Sequence, residues 1–266
     1  MSKDQSERRI SMPANLLACR TASYGKFSES AYAHLPTIGV HHVEIDAPAP
    51  DQVAGVKSRL EDHGLSASSL QCPVEVQYDD VDARLTPHLD AAAALGAGLL
   101  FVSVQAGELD KGVAYERLHR AGAKAAEYGI TIGMETHPDL ITNAAVAMET
   151  MRGVDHPNVR VNYDTANIHY YNRDVDHVDE MEKVIDYIGS MHLKDTDGQY
   201  KTWCFPTFGE GIVDFKKVFD RLNAHGFHGP FTMEIEGVEG ESLNEDETCR
   251  RVADSVAHLR SVGCDV

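Results

Sequence analysis

Four ionisable residues lie at or near the ends of short apolar runs in the second half of the chain. They are Glu135 in TIGMET, Asp164 in VRVNYD, His192 in SMHLKD and Glu234 in FTMEIE. If these runs are neighbouring strands, three carboxylates and one imidazole meet at one place. Carboxylates buried together repel one another, and an unpaired buried charge is costly. Protonation of some of them is one remedy, and binding a cation is another.

The types of these side chains indicate which cation would bind. Two Glu, one Asp and one His suit Mn²⁺, Mg²⁺, Co²⁺ or Zn²⁺. No Cys belongs to the set, which argues against a closed structural zinc site. We therefore predict one divalent metal ion, with Mn²⁺ preferred over the other three. Some of its coordination positions would be left open for a substrate.

Each of the four residues also has a simpler interpretation when it is taken alone. Glu135 could be a salt-bridged strand end, His192 a satisfied core histidine, and Asp164 a cap for the turn that follows it. Glu234 competes with Glu236, two residues further on and on the same face of the strand. These interpretations become hard to sustain together, because all four residues would fall on consecutive strands.

Other residues near the same ends are candidates for substrate binding. His137 shares a face with Glu135 and could contact substrate or support that glutamate. Lys194 could bind a substrate hydroxyl, transfer a proton, or simply pair with Asp195 or another carboxylate. Glu44, at the end of an earlier apolar run, could reach the substrate from the opposite side of the site.

The segment 195–214 is long for a loop between a strand and a helix, and such loops often serve as lids. It carries Trp203, the only Trp of the chain, with Phe205 and Phe208. These rings could close over a bound substrate, or could pin the loop as a small apolar cluster. The run 209–211, Gly-Glu-Gly, lies where barrels often bind phosphate. It contains no Lys or Arg, so we favour an unphosphorylated substrate.

The elements that would position these residues form a regular alternation. Short apolar runs predict strands, and 3.6-residue periodicity between them predicts helices. The predicted strands are Asn15–Cys19, His41–Asp46, Ser66–Cys72, Leu99–Gln105, Thr131–Thr136, Arg160–Asp164, Ile188–Lys194 and Pro230–Glu236. The predicted helices are Ser28–Leu35, Asp51–His63, Val81–Leu95, Val113–Tyr128, Thr142–Arg152, Val178–Tyr187, Phe215–His225 and Asp246–Val262. We also expect Gly189, like several other glycines, to end a helix just before a strand.

Eight strands alternating with eight helices fit a (β/α)8 TIM barrel or an open doubly wound sheet. No GxGxxG follows the first strand and the units are evenly spaced, which favours the barrel. No linker or change in composition divides the chain. We predict one barrel domain over residues 1–266, in which 1–12 are a flexible polar tail.

The composition limits the possible functions. The net charge of −18 is unfavourable for a surface that neutralises phosphates, so a nucleic-acid partner is not expected. Five widely spaced cysteines without a CxxC pair suit reduced thiols. The polar N-terminus lacks a signal-peptide core, and no apolar run is long enough to span a membrane. We therefore expect a cytoplasmic protein.

The order of the motifs resembles the xylose isomerase-like barrels. The resemblance rests on 135–137 (ETH), 164–167 (DTAN), 192–195 (HLKD), 209–215 (GEGIVDF) and 226–234 (GFHGPFTME). It implies that Glu135, Asp164, His192 and Glu234 hold a metal. By analogy with the ketose epimerases, it also implies that both glutamates are the catalytic acid and base. Homo-oligomers are common in this superfamily and are expected by analogy only.

The sequence departs from the free-ketose epimerases at two positions that touch substrate in that subfamily. Asn167 stands where they carry His, and Gly198 stands where they carry Arg. Asn167 is thus a candidate substrate contact, but a ketose 3-epimerase activity is put in doubt. The HLKD run is more similar to inosose dehydratases.

Two enzyme activities follow from the resemblance, and both begin with removal of a proton next to a carbonyl. One is a metal-dependent isomerase or epimerase of a sugar or keto-sugar, which works through an enediolate. The other is a lyase that removes water from a keto-polyol or keto-sugar. A nucleic-acid repair enzyme, which needs more metal ligands, and a metal-free binding barrel are the remaining alternatives.

Overall fold

Eight parallel strands close into a barrel in the computed structural model, which describes residues 14–264. Each strand pairs with its neighbours in chain order, and the last strand of the barrel closes the ring by pairing with both the seventh and the first. The predicted (β/α)8 TIM barrel is therefore confirmed. The predicted tail, 1–12, lies outside the described residues.

The strands of the barrel agree closely with the apolar runs of the sequence. They are β1 Leu17–Arg20, β2 His42–Asp46, β3 Ser66–Gln71, β4 Leu99–Val102, β5 Thr131–Glu135, β6 Val159–Asp164, β7 Ile188–Leu193 and β9 Phe231–Met233. Apolar side chains dominate them because both faces of a parallel barrel are covered. In β4, all four residues of LLFV are buried.

Helices cover the outside of the barrel. They are α1 Ser30–Thr37, α2 Val53–Asp62, α3 Val81–Leu95, α4 Lys111–Glu127, α5 Ala144–Val154, α6 Asn167–Tyr171, α7 His177–Val184, α8 Phe215–His225 and α9 Glu245–Ser261. Two 3-10 helices, η1 Thr21–Phe27 and η2 Ile185–Tyr187, precede α1 and follow α7. Capping side chains fix where several of the helices begin. In α9, Asn244 and Glu247 form a reciprocal capping box, which satisfies backbone N–H groups that the first turn leaves free.

The structure differs from the predicted elements at several places. The short helix α6 was not predicted, and the helix expected to reach Tyr187 becomes 3-10 after Val184. Gly189 lies inside β7 and does not end a helix. A Cβ at this position would come within 2.6 Å of Arg160 Cβ, so the close approach of two strands accounts for the glycine.

The register brings the ionisable residues to one end of the barrel. Asp164 on β6 lies opposite His192 on β7, and Glu135 ends β5 opposite Asn162. Glu234 follows β9, and its N–H donates to the carbonyl of Leu193 at 2.9 Å. This is the carboxyl end of the strands, where barrel enzymes place their active sites.

A small second sheet lies beside this end. Strands β8 Cys204–Phe205 and β10 Gly237–Val238 pair antiparallel, which fixes the middle of the 195–214 segment to the loop after β9. Within residues 14–264, no helix combines the length and the apolar character needed to cross a membrane.

Candidate metal centre and catalytic cavity

Glu135, Asp164, His192 and Glu234 converge at the carboxyl end of the barrel. One ligand atom from each lies within 4.8 Å of the others. Asp164 and His192 are fully buried, Glu234 nearly so, and Glu135 partly exposed. The set can hold a metal ion, since three carboxylates and an imidazole at this spacing offer hard to borderline ligands.

Asp164 supplies the strongest sign that this cluster is suited to a cation. Its Oδ1 accepts hydrogen bonds from the N–H groups of Ala166 and Asn167, both at 2.8 Å, at the start of α6. Its Oδ2 is buried and accepts no hydrogen bond, although the ammonium of Lys194 lies 3.2 Å away. A buried carboxylate oxygen without a hydrogen bond is costly, and a metal ion would satisfy it.

His192 is held between two carboxylates. Its Nε2 lies 3.1 Å from Glu44 Oε1, and its Nδ1 lies 3.2 Å from Glu234 Oε2. Phe101 packs on the ring, with centroids 4.2 Å apart. Burial would lower the pKa of His192, but Glu44 and Glu234 more than reverse this and raise it to about 10.

Glu44, a predicted substrate contact, lies beside His192. It is buried, its Oε2 accepts a hydrogen bond from Ser69 Oγ at 2.7 Å, and it is not among the residues that line the catalytic cavity. Its contact with Nε2 leaves Nδ1 of His192 facing the cluster. Carboxylates commonly orient metal-binding histidines in this way.

Glu234 is surrounded by positive charge. Arg20 Nη1 lies 2.7 Å from its Oε1, and Lys194 Nζ lies 2.5 Å from its Oε2. Burial alone would raise the pKa of Glu234, but Lys194 and His192 hold it well below its usual range. Glu234 is thus an anion in the metal-free protein.

Glu135 has a contrasting environment. Its Oε1 accepts a hydrogen bond from Asn167 Nδ2 at 3.1 Å, and no hydrogen bond within residues 14–264 reaches its other oxygen. Burial, and then the charge of Glu234, raise the pKa of Glu135 to about 7. Two carboxylates whose pKa values are driven apart are typical of acid and base pairs.

Lys194 connects the cluster to the rest of the cavity. Besides Asp164 and Glu234, its buried ammonium contacts Glu236 Oε2 at 2.8 Å and donates to Asn167 Oδ1 at 3.3 Å. The predicted pairing of Lys194 with another carboxylate is confirmed, whereas the alternative pairing with Asp195 is wrong. Asp195 faces away, toward the following loop.

The carboxylate of Asp195 organises that loop through backbone hydrogen bonds. Oδ1 accepts from the N–H groups of Thr196 at 2.9 Å and Val213 at 3.1 Å. Oδ2 accepts from those of Gly209 at 2.8 Å and Gly211 at 2.9 Å. These N–H groups are consequently not free to bind a phosphate, as such glycine-containing runs do in other barrels.

A cavity of about 270 Å³ opens above the cluster. The predicted contacts His137, Asn167, Lys194 and Trp203 all line it. His137 Nδ1 lies 2.6 Å from the Pro138 carbonyl oxygen, to which it can donate. The other lining residues are Arg20, Gln71, Phe101, Ser103, Glu135, Tyr170, Tyr171, Phe205, Glu234 and Glu236.

The aromatic residues of the 195–214 segment form one wall of this cavity. Trp203 meets Phe205 edge-on at 5.1 Å and Tyr170 at 6.3 Å, and 43% of Trp203 is exposed. Phe208 packs elsewhere, on Phe215. Part of the segment is therefore a fixed apolar cluster, while Trp203 keeps an open face toward the cavity.

Sequence reasoning missed several residues of the cavity, among them Arg20 and Gln71. Each of these two ends a strand, β1 and β3, as Glu135 and Asp164 do, so their positions carried the same signal. Arg20 also contacts Gln71 directly. Both lie far in the chain from the carboxylates, so the sequence alone does not show that they meet the cluster.

Comparison with known proteins identifies a family model that covers most of the chain. The family model of the xylose isomerase-like TIM barrel matches residues 33–262. Inosose dehydratase of Geobacillus thermodenitrificans is 24% identical over 245 residues, which cover 78% of this chain and 82% of that relative.

Two crystal structures share the fold at low identity. A sugar phosphate isomerase/epimerase from Parabacteroides distasonis superposes with a TM-score of 0.76 at 17% identity, and covers 97% of both chains. D-Allulose 3-epimerase from Methylomonas sp., in complex with D-allulose, gives a TM-score of 0.73 at 20% identity, and covers 94% of this chain and 98% of that one.

Proposed function

The chain belongs to the xylose isomerase-like TIM barrel family, and from that premise we propose that it is a divalent-metal-dependent isomerase or epimerase of a sugar or keto-sugar. The observation that carries the proposal is the convergence of Glu135, Asp164, His192 and Glu234 beside a cavity that Glu135 and Glu234 line. The reaction would begin with removal of a proton from the carbon next to the substrate carbonyl.

The metal ion would be held by those four side chains, and we propose Mn²⁺, with Mg²⁺, Co²⁺ or Zn²⁺ as alternatives. When bound, it would polarise the carbonyl oxygen and stabilise the negative charge that develops on it. The buried Oδ2 of Asp164, which accepts no hydrogen bond, supports this assignment.

Glu135 is the side chain best suited to move the proton. A group whose pKa lies near the working pH transfers protons most efficiently, and in the protein without metal, burial and Glu234 raise the pKa of Glu135 to about 7. Its unbonded oxygen can reach a substrate in the cavity, while Asn167 holds the other oxygen in place.

Glu234 is the second catalytic candidate. Its two oxygens are occupied by Arg20, His192 and Lys194, so it must give up one of these contacts before it can accept a proton. A change in the position of Lys194 would release Oε2. In this scheme Glu135 and Glu234 remove and return the proton from the two faces of the substrate.

The substrate is proposed to be a small unphosphorylated carbohydrate. Each N–H of the 209–211 run already has an acceptor, in Asp195 or in the Thr207 carbonyl. Both cations of the cavity, Arg20 and Lys194, are paired with carboxylates. A phosphate group would have to displace these contacts, whereas sugar hydroxyls could share them. His137, Asn167 and Trp203 are the other proposed contacts.

A lyase that removes water from a keto-polyol or keto-sugar is the second candidate. It is favoured by the similarity to inosose dehydratase over most of both chains. The same proton removal would start that reaction, and a cavity acid such as the Lys194 ammonium would protonate the departing hydroxyl.

Hydrogen exchange tests the proposal. The protein is incubated with Mn²⁺ and a panel of keto-sugars in D₂O, and the proton next to the carbonyl is followed by NMR. We expect its signal to disappear, and Glu135→Gln to slow the loss by at least about a hundredfold. Glu239→Gln, a change at an exposed residue near the rim, should have no effect.

The outcomes separate the two candidates. Deuterium uptake without loss of water supports the isomerase, and an unsaturated product that absorbs in the ultraviolet supports the lyase. A protein that holds Mn²⁺ and exchanges no proton of any sugar in the panel would overturn both.

A further inference from the structure

A second, larger cavity adjoins the catalytic one. It measures about 440 Å³ and lies between η1, the loop after β9 and the first half of α9. The catalytic cavity, at about 270 Å³, falls below the range of roughly 300–1,000 Å³ that is usual for ligand sites. The second cavity falls inside it.

Trp203 and Glu236 line both cavities. The exposed ring of Trp203 therefore stands at the boundary. Glu236 has one oxygen on Lys194, and no hydrogen bond within residues 14–264 reaches Oε1. An apolar face and a free carboxylate oxygen thus meet at the passage from one cavity to the other.

Most charged residues of the second cavity already have a partner of opposite charge. Arg251 is paired with Glu241, and Glu236 is paired with Lys194. Lys26 has no carboxylate partner in the described part of the chain, but its ammonium lies over the ring of Phe27 at 5.0 Å. One exposed cation beside two carboxylates is a poor site for a phosphate dianion and is compatible with a neutral ligand.

The rest of the lining suits hydroxyl groups. Ser242 is exposed and its hydroxyl makes no contact within residues 14–264, so it can donate to and accept from a ligand. A pyranose ring combines apolar C–H faces with a rim of hydroxyls. Trp203 offers an apolar surface for the C–H faces. Hydrogen-bond partners for the hydroxyls are offered by Ser242, Glu236 and Lys26.

We propose that this cavity is a second sugar subsite, and that the substrate is a glycosylated keto-sugar whose additional ring passes Trp203 to lie against η1 and α9. The inference rests on the proposed function, because the reacting ring occupies the metal-bearing cavity. It adds that the enzyme acts on a two-ring carbohydrate in preference to a single ring.

Kinetics with matched probes test the subsite. D-Fructose is compared with three disaccharides that carry a fructose unit with a free carbonyl: isomaltulose, maltulose and lactulose. Proton exchange in D₂O gives kcat/KM, and calorimetry on the Mn²⁺-loaded protein gives binding. We expect at least one disaccharide to exceed fructose in kcat/KM by about tenfold, which corresponds to one good aromatic contact.

Two variants fill the cavity from different walls. Ser242→Phe and Ala22→Phe add bulk at exposed lining residues, and each should remove the advantage of the disaccharide while fructose is processed as before. Glu239→Phe is the matched control, since Glu239 lies three residues from Ser242 and outside the lining. This variant should change neither the advantage of the disaccharide nor the turnover of fructose. Thermal melts establish that all three variants are folded.

The outcomes distinguish a failure of the subsite from a failure of the proposed function. Turnover of fructose with no gain for any disaccharide, or a disaccharide advantage that both filling variants retain, overturns the subsite alone. Absence of exchange and of binding for all four probes contradicts the proposed function and the subsite together.

Discussion

The loop that carries Trp203 depends on a single buried carboxylate, and Asp195→Asn tests this dependence. Asp195 is fully buried and accepts four backbone hydrogen bonds, two on each oxygen. The asparagine amide replaces one oxygen by an NH₂ group. Whichever oxygen is replaced, two N–H donors lose their acceptor and face another donor.

The magnitude follows from this count. A hydrogen bond to a charged group contributes about 1.5–3 kcal/mol, so the loss of two costs about 3–6 kcal/mol. Water that enters the opened loop recovers part of it. We therefore expect the free energy of unfolding to fall by at least about 2 kcal/mol, with the loop around residues 207–213 loosened first.

The assay uses urea denaturation followed by circular dichroism, together with the fluorescence of Trp203. Because Trp203 is the only Trp, its emission and its quenching by acrylamide report on this loop alone. We expect greater quenching in Asp195→Asn under native conditions. The control is Asp197→Asn, because Asp197 is partly exposed and accepts one backbone bond, from Gln199. That change should stay within about 0.5 kcal/mol.

The reasoning would be refuted if Asp195→Asn unfolded within about 0.5 kcal/mol of the unchanged protein and left the Trp203 emission unaltered. The four backbone contacts would then contribute little, and the loop would be held by its aromatic residues and the β8–β10 pair alone.

Two further predictions concern the charges of the metal cluster. Metal binding needs a neutral imidazole, and the pKa of His192 is raised to about 10 in the metal-free protein. The affinity for Mn²⁺ should therefore rise with pH. Calorimetry in buffers of different ionisation enthalpy, at about pH 7.5, should show that about one proton is released on binding. Glu44→Gln should reduce this release, because it removes a charge that raises that pKa, and unchanged release would contradict the assignment. Lys194→Met leaves Asp164, Glu234 and Glu236 without their shared cation, so the metal-free protein should lose about 3–5 kcal/mol of stability and Mn²⁺ should restore more stability than in the unchanged protein. Equal stabilisation by Mn²⁺ in both proteins, measured by urea denaturation, would count against competition between lysine and metal.

The barrel and its four ionisable strand ends could be predicted from the sequence because both depend on local pattern. Apolar runs of strand length recur at even spacing, and a polar residue that ends such a run lies at the carboxyl edge. Glu135, Asp164 and His192 are therefore found without knowledge of any contact. The same rule applies to Arg20, which we overlooked.

The supporting contacts could not be predicted because they depend on closure of the ring. Glu44 and His192 are 148 residues apart in the chain, and only the pairing of β9 with β1 brings their strands to the same interior. The orientation of Lys194 toward Glu236 and not toward Asp195 is likewise decided by side-chain packing. The two short strands β8 and β10 have no apolar run of their own and form only because the barrel places their loops side by side.

The central claim is that four side chains hold one divalent ion, and metal analysis tests it most directly. Protein purified without chelators is analysed for bound metal and then, after removal of metal, titrated with Mn²⁺ by calorimetry. We predict one ion per chain, with Mn²⁺ binding abolished in a Glu135→Gln plus Asp164→Asn variant and retained in Asp197→Asn. A chain that carries no ion and does not bind Mn²⁺, or a double variant that keeps its ion, would contradict the claim.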